Sequence, residues 1–178
     1  NLKRNLTILV FLPDFKTIYN TEKALKYELG GIVSIVQFFG SLKHDEQVNR
    51  LRVNDPSYDK SGPKATVILS TTLAETCLTI PDCELVIDTG VRKYNKYNYE
   101  TNLYQEYIDY ISQDTAIQRA GRCGRDKTIK GKCYRLFTKN TYEAMRKHRL
   151  PEVVMMNIDL IILRIFDSVL DTNKIIES

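Results

Sequence analysis

Thr7-Ile8-Leu9-Val10-Phe11-Leu12, closed by Pro13, is a continuous run of apolar and β-branched residues. It is too short for a typical helix and lacks the apolar–polar alternation of a strand with one wet face. Such a run, bounded by proline, reads as a strand buried on both faces, the usual condition in a parallel sheet. Residues 32–39, 65–69 and 84–88 have the same character, the last closed by Thr89-Gly90. Helical spacing lies between them. Asp14 offers an N-cap for a helix to about Leu29, with Ile18, Leu25 and Leu29 near one stripe, and Gly30-Gly31 stops it. Ser41 can cap a short polar helix to Arg52, and residues 54–64 (NDPSYDKSGPK) form the clearest loop. Strands alternating with helices predict crossover units, hence an α/β layered fold with a mostly parallel central sheet flanked by helices.

Residues 92–111 break that rhythm. Six of the eleven tyrosines fall there (Tyr94, Tyr97, Tyr99, Tyr104, Tyr107, Tyr110), around a polar centre at residues 98–102. The pattern predicts two antiparallel strands and a turn, a β-hairpin excursion whose rings cover a sheet face more readily than they serve as a stacking platform. Ser112 then caps a helix to about Cys123. Residues 132–137 read as a further strand and 141–147 as a helical turn or two. The stretch 157–170 is apolar nearly all round, so a helix there is expected to pack on this domain or on another.

The 178 residues suit one domain with a short extra segment, and a hydrophobic share of 43% with 27% charged residues is ordinary for a globular protein. No apolar run reaches the roughly 18 residues that a membrane span requires. A net charge of +4 permits a polyanionic partner without demanding one. Cys77, Cys83, Cys123 and Cys133 form no C-x-x-C pair, and His44 and His148 are remote from them, so reduced cysteines without structural zinc are expected. Asn1 rather than Met opens the sequence, which reads as a piece of a longer chain.

The sharpest chemical signal is Gln118-Arg119-Ala120-Gly121-Arg122-Cys123-Gly124-Arg125. On a helix Gln118 and Arg122 share a face, and Arg125 continues it. Gly121 removes a side chain where another backbone can approach, and Gly124 can take a positive φ and end the helix. One amide and two guanidiniums aimed at one point suit a phosphate whose charge must meet several fixed donors. A basic helix end on an ordinary surface would show one or two of these residues; the full string is far rarer.

That string resembles motif VI of superfamily-two helicases in its DEAH-box form. The segment from Ser70 to Thr79, followed by Val86-Ile87-Asp88-Thr89-Gly90, resembles motif V; Leu9-Val10-Phe11-Leu12-Pro13 resembles motif IV; Phe39-Gly40-Ser41-Leu42 with Glu46-Gln47 resembles the block after it. Four motifs stand in family order over about 120 residues. The resemblance implies the second RecA-like domain of a DEAH-box RNA helicase over residues 1–150, with 151–178 a linker and helix leading toward a winged-helix region. It implies that Gln118, Arg122 and Arg125 face the γ-phosphate of ATP, the arginines as fingers of a kind worth about 10³–10⁵ in turnover elsewhere. It implies RNA-backbone contacts from Gly40, Ser41 and Thr71, and nucleotide contacts from Thr79, Asp82 and Leu51. Three positions depart from the family pattern: Asp14 stands for the glycine after Leu-Pro, Pro81 for an aspartate that Asp82 then follows, and Leu51 for a base-stacking phenylalanine.

ATP hydrolysis with Mg²⁺ in this class also needs a P-loop and an acidic pair, and these 178 residues contain neither. The expectation is therefore half an active site, inactive by itself and completed by a first RecA-like domain. RNA and an activating protein are the implied partners, with no membrane. The implied location is intracellular, the nucleus favoured over the cytoplasm. The competing reading is a non-catalytic helicase-like module that binds RNA or protein.

Overall fold

A computed structural model describes residues 6–39, 65–76, 80, 83–125 and 130–176. Strand β1 (Leu6–Phe11) is buried along both faces at its end, with Leu9 and Phe11 fully covered, as the unbroken apolar run predicts. Helix α1 (Phe15–Leu29) begins at Asp14, whose carboxylate accepts from the Thr17 amide at 2.7 Å, and Ile18 is its fully buried residue. Gly31, at φ +78°, carries the chain away from the helix through a left-handed turn that glycine adopts without strain. Strands β2 (Val33–Phe38), β3 (Ala65–Ser70) and β4 (Cys83–Asp88) follow, β3 buried at every position. A short helix α2 (Leu73–Thr76) stands between β3 and β4.

Strands β5 (Val91–Asn98) and β6 (Leu103–Tyr110) form the separate antiparallel hairpin. Helix α3 (Gln113–Ala120), strand β7 (Lys132–Arg135), helix α4 (Lys139–Ala144), a 3₁₀ turn (Glu152–Met155) and helix α5 (Ile158–Ile176) complete the order. Local boundaries differ from expectation in four places, and one of them is β7, which ends at Arg135 rather than Phe137. Helix α3 ends at Ala120, not near Cys123; α4 lies two residues earlier than predicted; and α5 continues beyond residue 170.

The main sheet has five strands in the order β2-β3-β1-β4-β7, every neighbouring pair parallel. Two apolar clusters flank it: Leu9, Phe11, Phe38, Ile68 and Val86 on one side, and Val10, Leu12, Ile18, Val67 and Leu69 on the other. That division follows from the strand period of two, which sends neighbouring residues of β1 to opposite faces. The predicted α/β layered fold with its hairpin excursion is the one observed.

Two compact units divide the chain: Asn1–Lys93 with Ile108–Arg149, and Tyr94–Tyr107 with Leu150–Ser178. In the second, Tyr97 packs edge-on against Tyr99 and Tyr104, with ring centroids 4.9 and 5.2 Å apart. The Tyr104 hydroxyl accepts from the Asn157 amide at 3.2 Å and the Tyr99 hydroxyl from the Ile158 amide at 3.0 Å. Asn157 Oδ1 accepts from the Leu160 amide, so the start of α5 is held by an asparagine and two tyrosines. This is the covering use of the tyrosines, extended to helix capping. Leu163 and Phe166 of α5 are each 62% exposed, so of the two expected alternatives these residues leave packing on another domain.

Replacing Asp14 by alanine should destabilise the domain by about 0.5–2 kcal/mol at neutral pH, measured by urea unfolding. Burial pushes the Asp14 carboxyl up, but hydrogen bonds from Thr17 and the charges of Lys93 and Lys16 together hold the group below its ordinary value of 3.8. A depressed folded value means the contribution is present above the unfolded pKa and lost as pH falls through the folded one. The charge-dependent part of the difference between Asp14 and alanine should therefore be lost as pH falls through the folded pKa.

Candidate phosphate-facing arginine site

Helix α3 starts beside the carboxyl end of β4, where the Ile111 amide donates to the Gly90 carbonyl at 2.9 Å. Ser112 occupies the N-cap position, but its side chain makes no capping bond to an amide. The first amides go elsewhere: Gln113 to the Arg146 carbonyl, Asp114 to the Lys147 carbonyl, and Thr115 to the Asp114 carboxylate. The predicted Ser112 cap is thus replaced by carbonyls from a loop more than thirty residues away (Gln113 and Arg146 are 33 apart).

Side-chain placement along α3 is uneven. Gln118 is exposed, Arg119 fully buried, Arg122 half-buried and Arg125 exposed. Arg119 Nε donates to Glu75 Oε1 and Arg119 Nη1 to Asp88 Oδ1, both at 2.7 Å. Both terminal nitrogens also approach the Val91 carbonyl at 3.4 Å, and the guanidinium lies over the Phe11 ring at 4.7 Å. Glu75 and Asp88 are themselves buried, so all three charges are held away from water. Asp88 also accepts from the Gly90 amide at 2.9 Å, a strand-end hydrogen bond. Sequence reasoning passed over Arg119 because its neighbours in the string carried the family roles. The available signal was periodicity, since Arg119 shares a face with buried Thr115 and Ala116.

Arg122 lies beyond the helix proper, its amide donating to the Arg119 carbonyl at 3.1 Å in a tightened turn. Its Nη2 donates to the main-chain carbonyl of Glu75. Arg125 Nε donates to the Gly121 carbonyl at 3.3 Å. The Gly124 amide reaches the Cys83 carbonyl at 3.0 Å, which sets this turn against the amino end of β4. Thr71 lies at the opposite, carboxyl edge, its amide donating to the Phe38 carbonyl at 3.3 Å. Ligands of open α/β sheets gather at that carboxyl edge, so Thr71 occupies the customary position and the arginine turn does not. Gly40, Ser41, Leu51, Thr79 and Asp82 lie outside the described residues.

Glycine roles also shift. Gly124 has the expected positive φ, +64°. Gly121 does not admit another backbone: it is exposed, and a Cβ there would meet only ordinary contacts at 3.5 Å. The close approach occurs at Gly131, where a Cβ would lie 2.5 Å from the Gly124 nitrogen and 2.7 Å from the Cys123 carbonyl carbon. Nearby, burial pushes the Cys83 thiol up to about 12 and raises Cys123 and Cys133 as well.

Exposed Gln118 and Arg125 with half-buried Arg122 are donors that fit the oxygens of a nucleotide phosphate. No group of His, Cys, Asp or Glu among the described residues is placed to hold a metal ion. The carboxylates of Glu75 and Asp88 are engaged by Arg119. No helix among the described residues is long and apolar enough to cross a membrane.

Two outcomes follow from this geometry. Gly131→Ala must displace backbone rather than a flexible side chain, and should cost about 1–3 kcal/mol by thermal or urea unfolding. At pH 8, iodoacetamide should label Cys83 in unfolded protein at least tenfold faster than in folded protein, because only the thiolate reacts (order of magnitude).

The helicase conserved C-terminal domain model matches residues 1–127. The chain is 38% identical over 138 residues to the ATP-dependent RNA helicase DEAH12 of Arabidopsis thaliana, covering 78% of this chain and 7% of that protein. It is 32% identical over 157 residues to an ATP-dependent RNA helicase HrpA homolog of Haemophilus influenzae, covering 88% and 11%. The crystal structure of the E. coli DExH-box NTPase HrpB superimposes with a TM-score of 0.73 at 27% identity, over 85% of this chain and 18% of that one. The chain thus spans a small part of the proteins it matches. With its parallel sheet and its motifs in order, it belongs to the helicase conserved C-terminal domain family, in the DEAH/DExH-box RNA helicase branch.

Proposed function

We propose that these residues are the C-terminal RecA-like domain of an ATP-dependent RNA helicase, supplying arginine fingers to ATP hydrolysis and backbone contacts to single-stranded RNA. The supporting observation is the division of labour along α3 and the turn after it: Arg119 is buried as an anchor, while Gln118 and Arg125 stay exposed and Arg122 is held by the Glu75 carbonyl. A donor fixed before the reaction needs no reorganisation when charge develops, which is the condition for electrostatic stabilisation of a transferred phosphoryl group. Bound ATP supplies that phosphoryl group. Arg122 and Arg125 would match the growing negative charge on its oxygens, and Gln118 would orient the attacking water or a phosphate oxygen.

Thr71, with Gly40 and Ser41 on the sequence pattern alone, would grip the RNA sugar–phosphate backbone without reading bases. The P-loop and the acidic metal ligands would come from a first RecA-like domain, since neither motif occurs in these 178 residues. A winged-helix region and an activating protein complete the proposed partners, and the site of action is intracellular.

The test pairs two preparations. The isolated 178-residue chain should show background ATPase and weak, salt-sensitive RNA binding. In the full-length enzyme, Arg125→Ala should lower RNA-stimulated kcat by about 10³-fold or more. An unchanged kcat would replace this reading with a non-catalytic binding module, and robust ATPase from the isolated chain would contradict the half-site view.

A further inference from the structure

We infer that Arg119 is a positioning residue for Arg122, acting through Glu75. The inference rests on Arg122 being a phosphate donor, as proposed above, and assigns a role to a buried arginine that makes no use of solvent or ligand.

Glu75 is held at two points by two arginines three residues apart. Its carboxylate accepts from Arg119 Nε at 2.7 Å, and its main-chain carbonyl accepts from Arg122 Nη2. Its amide is also fixed, donating to the Thr72 carbonyl at 2.9 Å. Arg119 is fixed in turn by Asp88 Oδ1 at 2.7 Å and by the Phe11 ring beneath its guanidinium. Strand β4, through Asp88, therefore locates Arg119; Arg119 locates the Glu75 side chain; and the Glu75 backbone provides the carbonyl on which the Arg122 guanidinium rests. The Arg122 amide donates to the Arg119 carbonyl at 3.1 Å, so the same pair of residues is tied through the main chain as well.

A planar fork is required for this. Nε and Nη1 of one guanidinium reach two carboxylates on different elements while its face lies on an aromatic ring, and a lysine ammonium cannot reproduce that geometry. Loss of the fork frees the Glu75 side chain, and the carbonyl that seats Arg122 shifts with it. A displacement of about 1 Å at a catalytic group can cost up to about 10²-fold in rate. The loss should fall on kcat, since Arg119 touches neither nucleotide nor RNA in this arrangement.

A double-mutant cycle in the full-length enzyme tests this, with single-turnover and steady-state ATPase as readouts. Arg119→Lys should lower kcat by about 10–100-fold, with KM for ATP changed less than about threefold. In an Arg122→Ala background the same substitution should change kcat by less than about threefold, because the residue it positions is already gone. If Arg119→Lys does not give a cooperative melt, Glu75→Leu takes its place in the same cycle; it severs the link and leaves Arg119 balanced by Asp88. Equal losses in both backgrounds, or no loss in either, would overturn the positioning role. An unchanged kcat in Arg122→Ala alone would overturn the arginine-finger reading, and the positioning role with it.

Discussion

Arg119 carries a charge into the core, and Glu75 and Asp88 go in with it. Its guanidinium is wholly inaccessible, and both carboxylates that neutralise it are buried. Withdrawing charges from water costs several kcal/mol per ion, and mutual attraction offsets that only where geometry is good. Here two hydrogen bonds at 2.7 Å, the Val91 carbonyl and an aromatic face supply the geometry. An apolar side chain of similar size could fill the same volume, but it would tolerate sliding. The ionic arrangement does not, because displacing Arg119 strands two buried carboxylates, and breaking a buried pair in this way costs on the order of 3–5 kcal/mol.

That rigidity propagates in two directions. Asp88 ends strand β4 and accepts from the Gly90 amide, so the anchor also sets the turn from the parallel sheet into the hairpin. Gly90 sits at φ +75°, where the left-handed region favours glycine and where a Cβ would collide with the Phe137 ring. On the other side, Glu75 ties the segment after β3 to the end of α3. Beyond that end the chain is shaped by backbone proximity: Gly131 lies against Cys123 and Gly124, and the Gly124 amide is bonded to the first residue of β4. A charged cluster fixes one end of the turn that bears Arg122 and Arg125, and a glycine-to-glycine approach fixes the other.

The hairpin unit is organised differently. Asn98 folds the turn by accepting from the Glu100 and Thr101 amides, and Asn102 takes φ 56°, which asparagine tolerates better than most residues. Tyrosines then cover one another and satisfy amides at the start of α5. Rings engaged in this way, Tyr97, Tyr99 and Tyr104, are spoken for by structure. The hydroxyls of Tyr99 and Tyr104 do for a helix N-terminus what a serine or aspartate does elsewhere.

Much of this was legible in residue order, because local rules carry it. Unbroken apolar runs marked β1 to β4, Asp14 marked the start of α1, and the polar centre at residues 98–102 marked the hairpin turn. The motif string marked the family to which the chain belongs. What the sequence could not rank was the arginines within that string. Periodicity defines the faces of a helix but not which face meets a partner, and the partners of Arg119 lie 44 and 31 residues earlier. The same holds for Gly131, whose need for a missing side chain arises from a backbone that arrives from residues 123–124, and for Ser112, whose capping role is taken by carbonyls of a distant loop. The sequence by itself determined the elements and the chemical repertoire, since those depend on neighbours within a few residues. Tertiary structure alone decided which arginine is buried as an anchor and which stay nearer the surface, because burial is settled by residues that meet only when the chain is folded.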